Sequence, residues 1–336
     1  MGKFLLFLGG NWYLVKDMVK MPLRKDLMLM QKIVEAITRK YLNASPQKTT
    51  SLGGGFYGRV FLVESKDFGA LVIKIYLCPD LAAKETCQLR ILSAHATVKM
   101  PQVYFTHIAD DDIPRDAIVM EYLPGVIAGR SDLVVTESNR LHIAETIVDN
   151  LISYHKTIHP EGFGEINADS YTPNWKEWYF PRVEATFRKA AQLHKDRKMD
   201  DALFAIVSKA YQNYDRIFYL PIKEARLIHG DYNMWNIMLN EELTDVSAVL
   251  DPLNCCWADY ELDLHNLNLV NGKDYGLLDL YTSRFPMSDN YLLKMCFYDV
   301  FSKIMNYYDV NVDISHSTIP MGAKGLETQM RYLGLL

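Results

Sequence analysis

The chain has 336 residues, 49% of them hydrophobic and 12% aromatic, a globular composition large enough for about two domains around a sizeable core. Its formal net charge of −5 argues against a nucleic-acid partner held through a basic surface. Five cysteines, with Cys255 and Cys256 adjacent and no C-x-x-C spacing, suit neither a disulfide framework nor a tetrahedral metal site and read as the reduced thiols of a cytoplasmic chain.

In chain order, Phe4 to Leu8 form an apolar run of five residues that Gly9, Gly10 and Asn11 interrupt, with no small-residue cleavage site behind it. No run approaches the ~20 apolar residues of a membrane span, so no membrane partner is expected. Between Pro22 and Leu42, the spacing of Leu27, Met30, Ile33 and Ile37 predicts a helix with one apolar face, and "NASPQKTT" reads as a linker. Residues 1–50 are thus expected to be an N-terminal extension of helix and linker. From Ser51 to about Tyr122 the pattern is strand-rich, with "RVFLVE", "ALVIKIYL" and "AIVMEYL" as strands and "LAAKETCQLRILSAH" as a helix. After Pro124 and Gly125 it is mostly helical, apart from a strand pair near residues 237–250. The expected architecture is α+β: a small β-rich lobe over 51–123 and a larger α-rich lobe over 124–336.

Within the first lobe, Gly53, Gly55 and Gly58 stand at G-x-G-x-x-G spacing with Val60 behind them. Glycines let a backbone approach phosphates closely, although a glycine-rich hairpin turn has the same composition. A dinucleotide fingerprint would open a helix, whereas a strand follows here, and no Walker-type G-x-x-x-x-G-K-[ST] occurs. Lys74 lies inside an apolar strand, where it needs either an anionic partner or an edge position facing water. Glu85 on the next helix is the candidate partner, unless it lies on a solvated face.

In the second lobe, "LIHGDYNMWNIMLN" places Asp231 five residues before Asn236, a composition that an ordinary turn also favours. Downstream, Ile237–Leu239 and Val246–Leu250 read as strand, turn, strand. Such a hairpin returns Asp251 to the side of Asn236, close to Asp231. Oxygen ligands clustered in this way suit Mg²⁺ shared with nucleotide phosphates.

Glycine loop, strand lysine, helix glutamate and the connector "IVMEYLPG" follow in the order of a protein-kinase-like N-terminal lobe. "HGDxxxxN", "LDP" and "WADYELDLHNL" resemble the aminoglycoside phosphotransferase and choline kinase family, small-molecule kinases of protein-kinase-like two-lobed fold. "YHKTIH" around His155 is similar to the same family, although a core or capping histidine explains it equally well. The resemblance runs from about Ser51 to the C-terminus. It implies ATP, or GTP, as phosphoryl donor with Mg²⁺. By the same resemblance Gly53, Gly55, Gly58 and Val60 cover the nucleotide, Lys74 and Glu85 serve its phosphates, and Met120, the Glu121 carbonyl and the Leu123 N–H hold the adenine. Asn236 and Asp251 bind the metal. Asp231 handles the proton of the acceptor hydroxyl without needing a raised pKa, and His229 is a structural hydrogen-bonder.

Departures from protein kinases also carry information. Gly230 replaces the arginine of H-R-D, no A-P-E segment follows, and Pro252 is expected to push Asp251 toward an extended backbone. Together these imply a constitutive kinase for a small-molecule acceptor such as an aminoglycoside, amino alcohol or sugar. "SYTPNW" and "LDP" also resemble fructosamine kinases, the alternative acceptor class, and a regulatory pseudokinase is the alternative outside enzymes. Trp175, Trp178, Tyr179 and Phe180, in the segment resembling the family's acceptor side, either stack on a sugar or form core. Nothing in the sequence fixes an oligomeric state.

Overall fold

The computed structural model describes residues 5–8, 11–14, 23–55, 57–252, 254–308 and 317–336. Phe4 of the apolar run and Pro22 lie outside them, as do Phe56 and Leu253. A hairpin of β1 (Leu5–Leu8) and β2 (Asn11–Leu14) precedes helix α1 (Leu23–Leu42). Next come β3 (Lys48–Gly54), β4 (Gly58–Ser65), β5 (Gly69–Tyr76), helix α2 (Leu81–His95), β6 (Val103–His107) and β7 (Ala117–Glu121). These five strands make one antiparallel sheet in the order β3-β4-β5-β7-β6, with β5 central.

Side chains alternate across a strand, so Ile73 and Ile75 of β5 face one side while Lys74 and Tyr76 face the other. The first side is filled by α1. Its Met30, Ile33, Val34 and Ile37 are buried and cluster with Phe61, Val63, Ile73, Ile75 and Val119. The helical spacing of Met30, Ile33 and Ile37 therefore marks a packed face, the Leu27 side chain of the same pattern lying outside those described, and α1 forms the second layer of this lobe. On the opposite side, Tyr76 and Ile118 join Leu89 and Leu92 of α2 in the core that continues into the second lobe.

The second lobe begins with β8 (Val126–Ile127) and α3 (Glu137–His155), whose first turn is capped by the Thr136 side chain accepting from the Asn139 N–H. After β9 (Ile158–His159) and β10 (Gly164–Glu165) come helices α4 (Trp175–Lys195), α5 (Asp201–Gln212) and α6 (Tyr214–Ile217). Strand β11 (Ala225–Ile228) leads into the loop 229–236, and β12 (Ile237–Leu239) and β13 (Val246–Val249) form the expected hairpin. β14 (Cys256–Ala258) follows, then α7 (Leu277–Arg284), α8 (Tyr291–Tyr308) and α9 (Ile319–Tyr332). Among the described residues no helix is long and apolar enough to cross a membrane.

The strand pair near 237–250 is not alone in this lobe. Two small sheets, β10-β14-β11-β9 and β13-β12-β8, grip the loop 229–236 from both ends. The additional strands have two to four residues each, too few for a period of two to declare itself in sequence. Trp175 and Tyr179 are core, stacked on each other at 4.9 Å between centroids, and Phe180 packs against Tyr211 and Tyr214. Of the four aromatics, Trp178 shares its face with a charge, that of Arg182.

Candidate active site

β3 and β4 are joined by the glycine-rich turn, a loop between two strands as the sequence implies. Gly53 has φ +115, which favours glycine, and Val60 is paired with Lys74 in register. Gly58 is buried under the lysine: a Cβ there would sit 3.0 Å from the Ile75 carbonyl oxygen and 3.5 Å from Lys74 Cε. Gly55 is exposed at the turn with open space around it. Gly54, which the spacing did not single out, is tighter than Gly55 or Gly58, with the Gly58 carbonyl 2.3 Å from the place of a Cβ.

Lys74 is on the central strand and 7% exposed, so the edge-strand alternative fails. Its Nζ donates to Glu85 Oε1 at 2.9 Å, to Glu85 Oε2 at 2.7 Å and to Asp251 Oδ1 at 2.7 Å. Glu85 is 2% exposed, on the buried face of α2. Burial disfavours the lysine charge, but Glu85 and Asp251 outweigh it and hold the ammonium protonated far above neutral pH. Complete burial pushes the Glu85 carboxyl up, against the pull of Lys74 and of the Tyr76 hydroxyl, which donates to Glu85 Oε2 at 2.6 Å. Met120, beside Val72 in register, and Glu121, beside Leu71, end β7; Leu123 follows, and all three are half-buried. The Glu121 N–H is bonded to the Gln102 carbonyl at 2.8 Å, and its carboxylate pairs with Lys99.

The loop after β11 gathers the second group. Asn236 Nδ2 donates to Asp231 Oδ2 at 2.9 Å and to the Asp231 carbonyl at 2.7 Å, while Asn233 Nδ2 donates to Asp231 Oδ1 at 2.7 Å. The hairpin brings the two ends together as expected: the Leu250 N–H donates to the Asn236 carbonyl at 2.8 Å. Asp251 thus lies beside Asn236 and reaches across to Lys74 of the other lobe.

Asp231 departs from one expectation. Burial first, and the negative charge of Asp251 second, push its carboxyl up to about 7, against the two amide donors. The backbone of Asp251 departs from another. Its φ is +57, left-handed rather than extended. Bonds on either side impose this against the preference of Pro252: Leu250 is held through both its N–H and its carbonyl, and the Cys255 N–H closes on the Pro252 carbonyl at 2.9 Å.

His229 is fully buried, and burial lowers its pKa, so it is neutral near pH 7. Its Nε2–H donates to the Leu250 carbonyl at 3.1 Å and its Nδ1 accepts from the Asp231 N–H at 3.3 Å, leaving neither nitrogen for proton transfer. Gly230 has φ +82, and a Cβ there would come within 2.4 Å of the Asn254 carbonyl oxygen. An arginine at this position has no room, which explains the departure from H-R-D.

Asp263, inside the "ELDL" wording but not recognised as part of the site, holds the loop in place. It accepts from the N–H groups of His229 at 2.8 Å and Gly230 at 2.7 Å, and lies 3.3 Å from His155 Nε2. Burial works against its charge, but the hydrogen bond from His155, the nearby histidines and the backbone donor keep its carboxyl below the usual range. Its segment, Tyr260–Asn268, is a 3₁₀ helix anchored by buried Lys294, which bonds Asp259 and Glu261 at 2.7 Å each.

Among the described residues no group of three or more His, Cys, Asp or Glu side chains could hold a metal alone. Asn236 and half-exposed Asp251 offer an amide oxygen and a carboxylate. That pair fits Mg²⁺, which takes one or two carboxylates and completes its octahedron with phosphate and water oxygens.

This arrangement belongs to a phosphotransferase on a protein-kinase-like fold. The chain is a member of the phosphotransferase enzyme family, whose profile matches residues 48–277. It is similar to the uncharacterized protein YcbJ of Escherichia coli K12, 21% identical over 237 residues, 70% of this chain and 77% of that one. A candidate fructosamine-3-kinase from Haemophilus somnus superposes with a TM-score of 0.66 at 14% identity, over 89% of this chain and 97% of that one. A thermostable mutant of aminoglycoside phosphotransferase APH(4)-Ia, in ternary complex with ADP and hygromycin B, does so with a TM-score of 0.63 at 16% identity, over 89% and 98%.

Proposed function

We propose that the protein transfers the γ-phosphoryl group of ATP to a hydroxyl of a small molecule, with Mg²⁺ shared between nucleotide and protein. The observation that carries this reading is the ion-paired group Glu85–Lys74–Asp251 beside the bonded pair Asn236–Asp231, the two brought together where the Leu250 N–H bonds the Asn236 carbonyl. In phosphoryl transfer, positioning and charge neutralisation do most of the work. Lys74, held by Glu85, meets α- and β-phosphate oxygens, and the Gly53–Gly58 backbone with Val60 covers them. Met120, the Glu121 carbonyl and the Leu123 N–H serve the adenine. Asn236 and Asp251 would hold Mg²⁺, which supplies positive charge to the phosphates.

Asp231 takes the acceptor side. With its carboxyl at about 7 in the free site, it can both accept the hydroxyl proton and release it near neutral pH. The acceptor is an alcohol of the aminoglycoside, amino-alcohol or sugar type; a ketosamine is the second reading, in keeping with the fructosamine-3-kinase-like fold neighbour. A cytoplasmic location, in keeping with five free cysteines, belongs to the same proposal.

The test is turnover of MgATP against a panel of aminoglycosides, choline, ketosamines, hydroxy amino acids and simple sugars, with Asp231→Asn alongside. Transfer should fall by roughly 10²–10⁴ in the variant while MgATP binding persists. Loss of nucleotide binding as complete as the loss of turnover would sink the assignment of Asp231.

A further inference from the structure

Glu85 is a carboxylate with almost no access to water, and a carboxylate offers about four acceptor positions. Lys74 fills two of them at 2.9 and 2.7 Å. A third is met by the hydroxyl of Tyr76, itself fully buried, at 2.6 Å on Oε2. Tyr76 is two residues beyond Lys74 on β5, so both side chains leave the same face of the strand and converge on one glutamate of α2. The ammonium also lies 5.5 Å from the centre of the Tyr76 ring. The backbone at Tyr76 is fixed in turn, its N–H bonded to the Asp116 carbonyl at 2.9 Å.

We propose that Tyr76 is a positioning residue for phosphate binding: its hydroxyl fixes the Glu85 carboxylate so that the Lys74 ammonium is presented to the nucleotide phosphates. This deepens the nucleotide reading above and rests on it. Lys74 has three N–H donors, two spent on Glu85 and one on Asp251. When a nucleotide arrives, the donor now on Asp251 is the one that turns to phosphate, and the other two must keep the ammonium in place. They can do so only if the carboxylate does not swing with it. A hydroxyl–carboxylate bond of this length, buried and charge-assisted, is the restraint. Without it Glu85 has Lys74 as its one close donor among the described residues, and follows the ammonium or takes up a proton. Either outcome loosens the phosphate contact and leaves the adenine side of the cleft untouched.

The experiment compares Kd values of ADP and adenosine, with Mg²⁺, for wild type and Tyr76→Phe, with thermal melting of both as a check on folding. ADP should bind about tenfold more weakly to Tyr76→Phe, the usual worth of one charge-assisted hydrogen bond, and adenosine equally well to both. In a Glu85→Gln background the same substitution should have almost no effect, because Tyr76 acts through Glu85. Para-aminophenylalanine at position 76, which restores an N–H donor on the same ring, should recover most of the ADP affinity and covers the case in which Tyr76→Phe fails to fold. Unchanged ADP binding in folded Tyr76→Phe overturns the inference. So does an equal loss for ADP and adenosine, which marks a general packing role. A wild-type protein that binds neither ADP nor adenosine overturns the nucleotide reading itself, an outcome distinct from both.

Discussion

Replacing Asp231 by Asn should make the protein more stable at neutral pH, and by an amount that depends on pH in a defined direction. A carboxyl held at about 7 in the folded chain, against an ordinary value of 3.8, binds its proton more tightly folded than unfolded. Folding is therefore unpenalised below about pH 4, loses stability as the pH rises through the window between about 4 and 7, and carries the whole cost above it. Between 3.8 and about 7 the proton affinity rises about a thousandfold, at about 1.4 kcal/mol per tenfold, so the cost at pH 8 is on the order of 4 kcal/mol as an upper bound. Asparagine removes the charge but turns an N–H₂ toward one of two existing donors, Asn233 Nδ2 or Asn236 Nδ2. Asn233 is pinned by the Trp235 N–H on its Oδ1, so the mismatch falls at Asn236 and costs about 1 kcal/mol. The net gain at pH 8 is then roughly 2–3 kcal/mol, or about 3–4 °C in Tm for a chain of this size. Paired thermal melts of wild type and Asp231→Asn in chelator, from about pH 5 to 8.5, report the difference directly, since titrations not coupled to Asp231 cancel. A Tm difference that does not change with pH, or a variant less stable at pH 8, would refute the account of Asp231 as a carboxyl whose proton affinity the fold raises.

Other substitutions probe separate parts of the site. Lys74→Met keeps the apolar stem and should weaken nucleotide affinity or turnover by at least about tenfold, ~1.4 kcal/mol, measured by calorimetry and initial rates. Asp251→Ala should abolish Mg²⁺-dependent transfer while thermal melting shows an intact fold, because it removes an oxygen ligand and no core volume. Gly230→Ala should destabilise by roughly 2 kcal/mol or more and cut turnover, because its Cβ collides with the Asn254 carbonyl; a denaturant midpoint equal to wild type would contradict the geometry. Lys294→Met leaves Asp259 and Glu261 buried without their cation and should cost about 3–5 kcal/mol at pH 7, read from chemical denaturation.

Much of this site was legible in the sequence because its residues sit at fixed offsets. Asp231 and Asn236 are five apart, and the hairpin between Asn236 and Asp251 announces itself by two apolar runs around a polar turn. Lys74 and Glu85 were readable as a pair since a buried charge in an apolar strand demands a partner. Tyr76 was not, because a tyrosine in "VIKIY" looks like one more apolar strand residue, and its hydroxyl matters only once α2 has been laid against β5. Asp263 was hidden for a similar reason. It serves backbone N–H groups 33 and 34 residues away, and backbone groups leave no mark in a sequence. The left-handed φ of Asp251 ran against the local rule for a residue before proline, a rule that long-range bonds overrode.

The 2.7 Å contact between Lys74 and Asp251 makes each the counter-ion of the other across the two lobes. Whatever claims one of them releases its mate. An anion that draws Lys74 away leaves Asp251 with an uncompensated charge, ready for a cation, and a cation at Asp251 frees an N–H of Lys74 for an anion. Neither guest alone replaces what it disrupts, whereas the two together restore neutrality on both sides. Such guests recruit one another, and thermodynamic reciprocity requires each to raise the other's affinity by the same factor. Under the proposed reading, the site would take up a metal–nucleotide complex as a single ligand in preference to free nucleotide or free metal, without any moving gate.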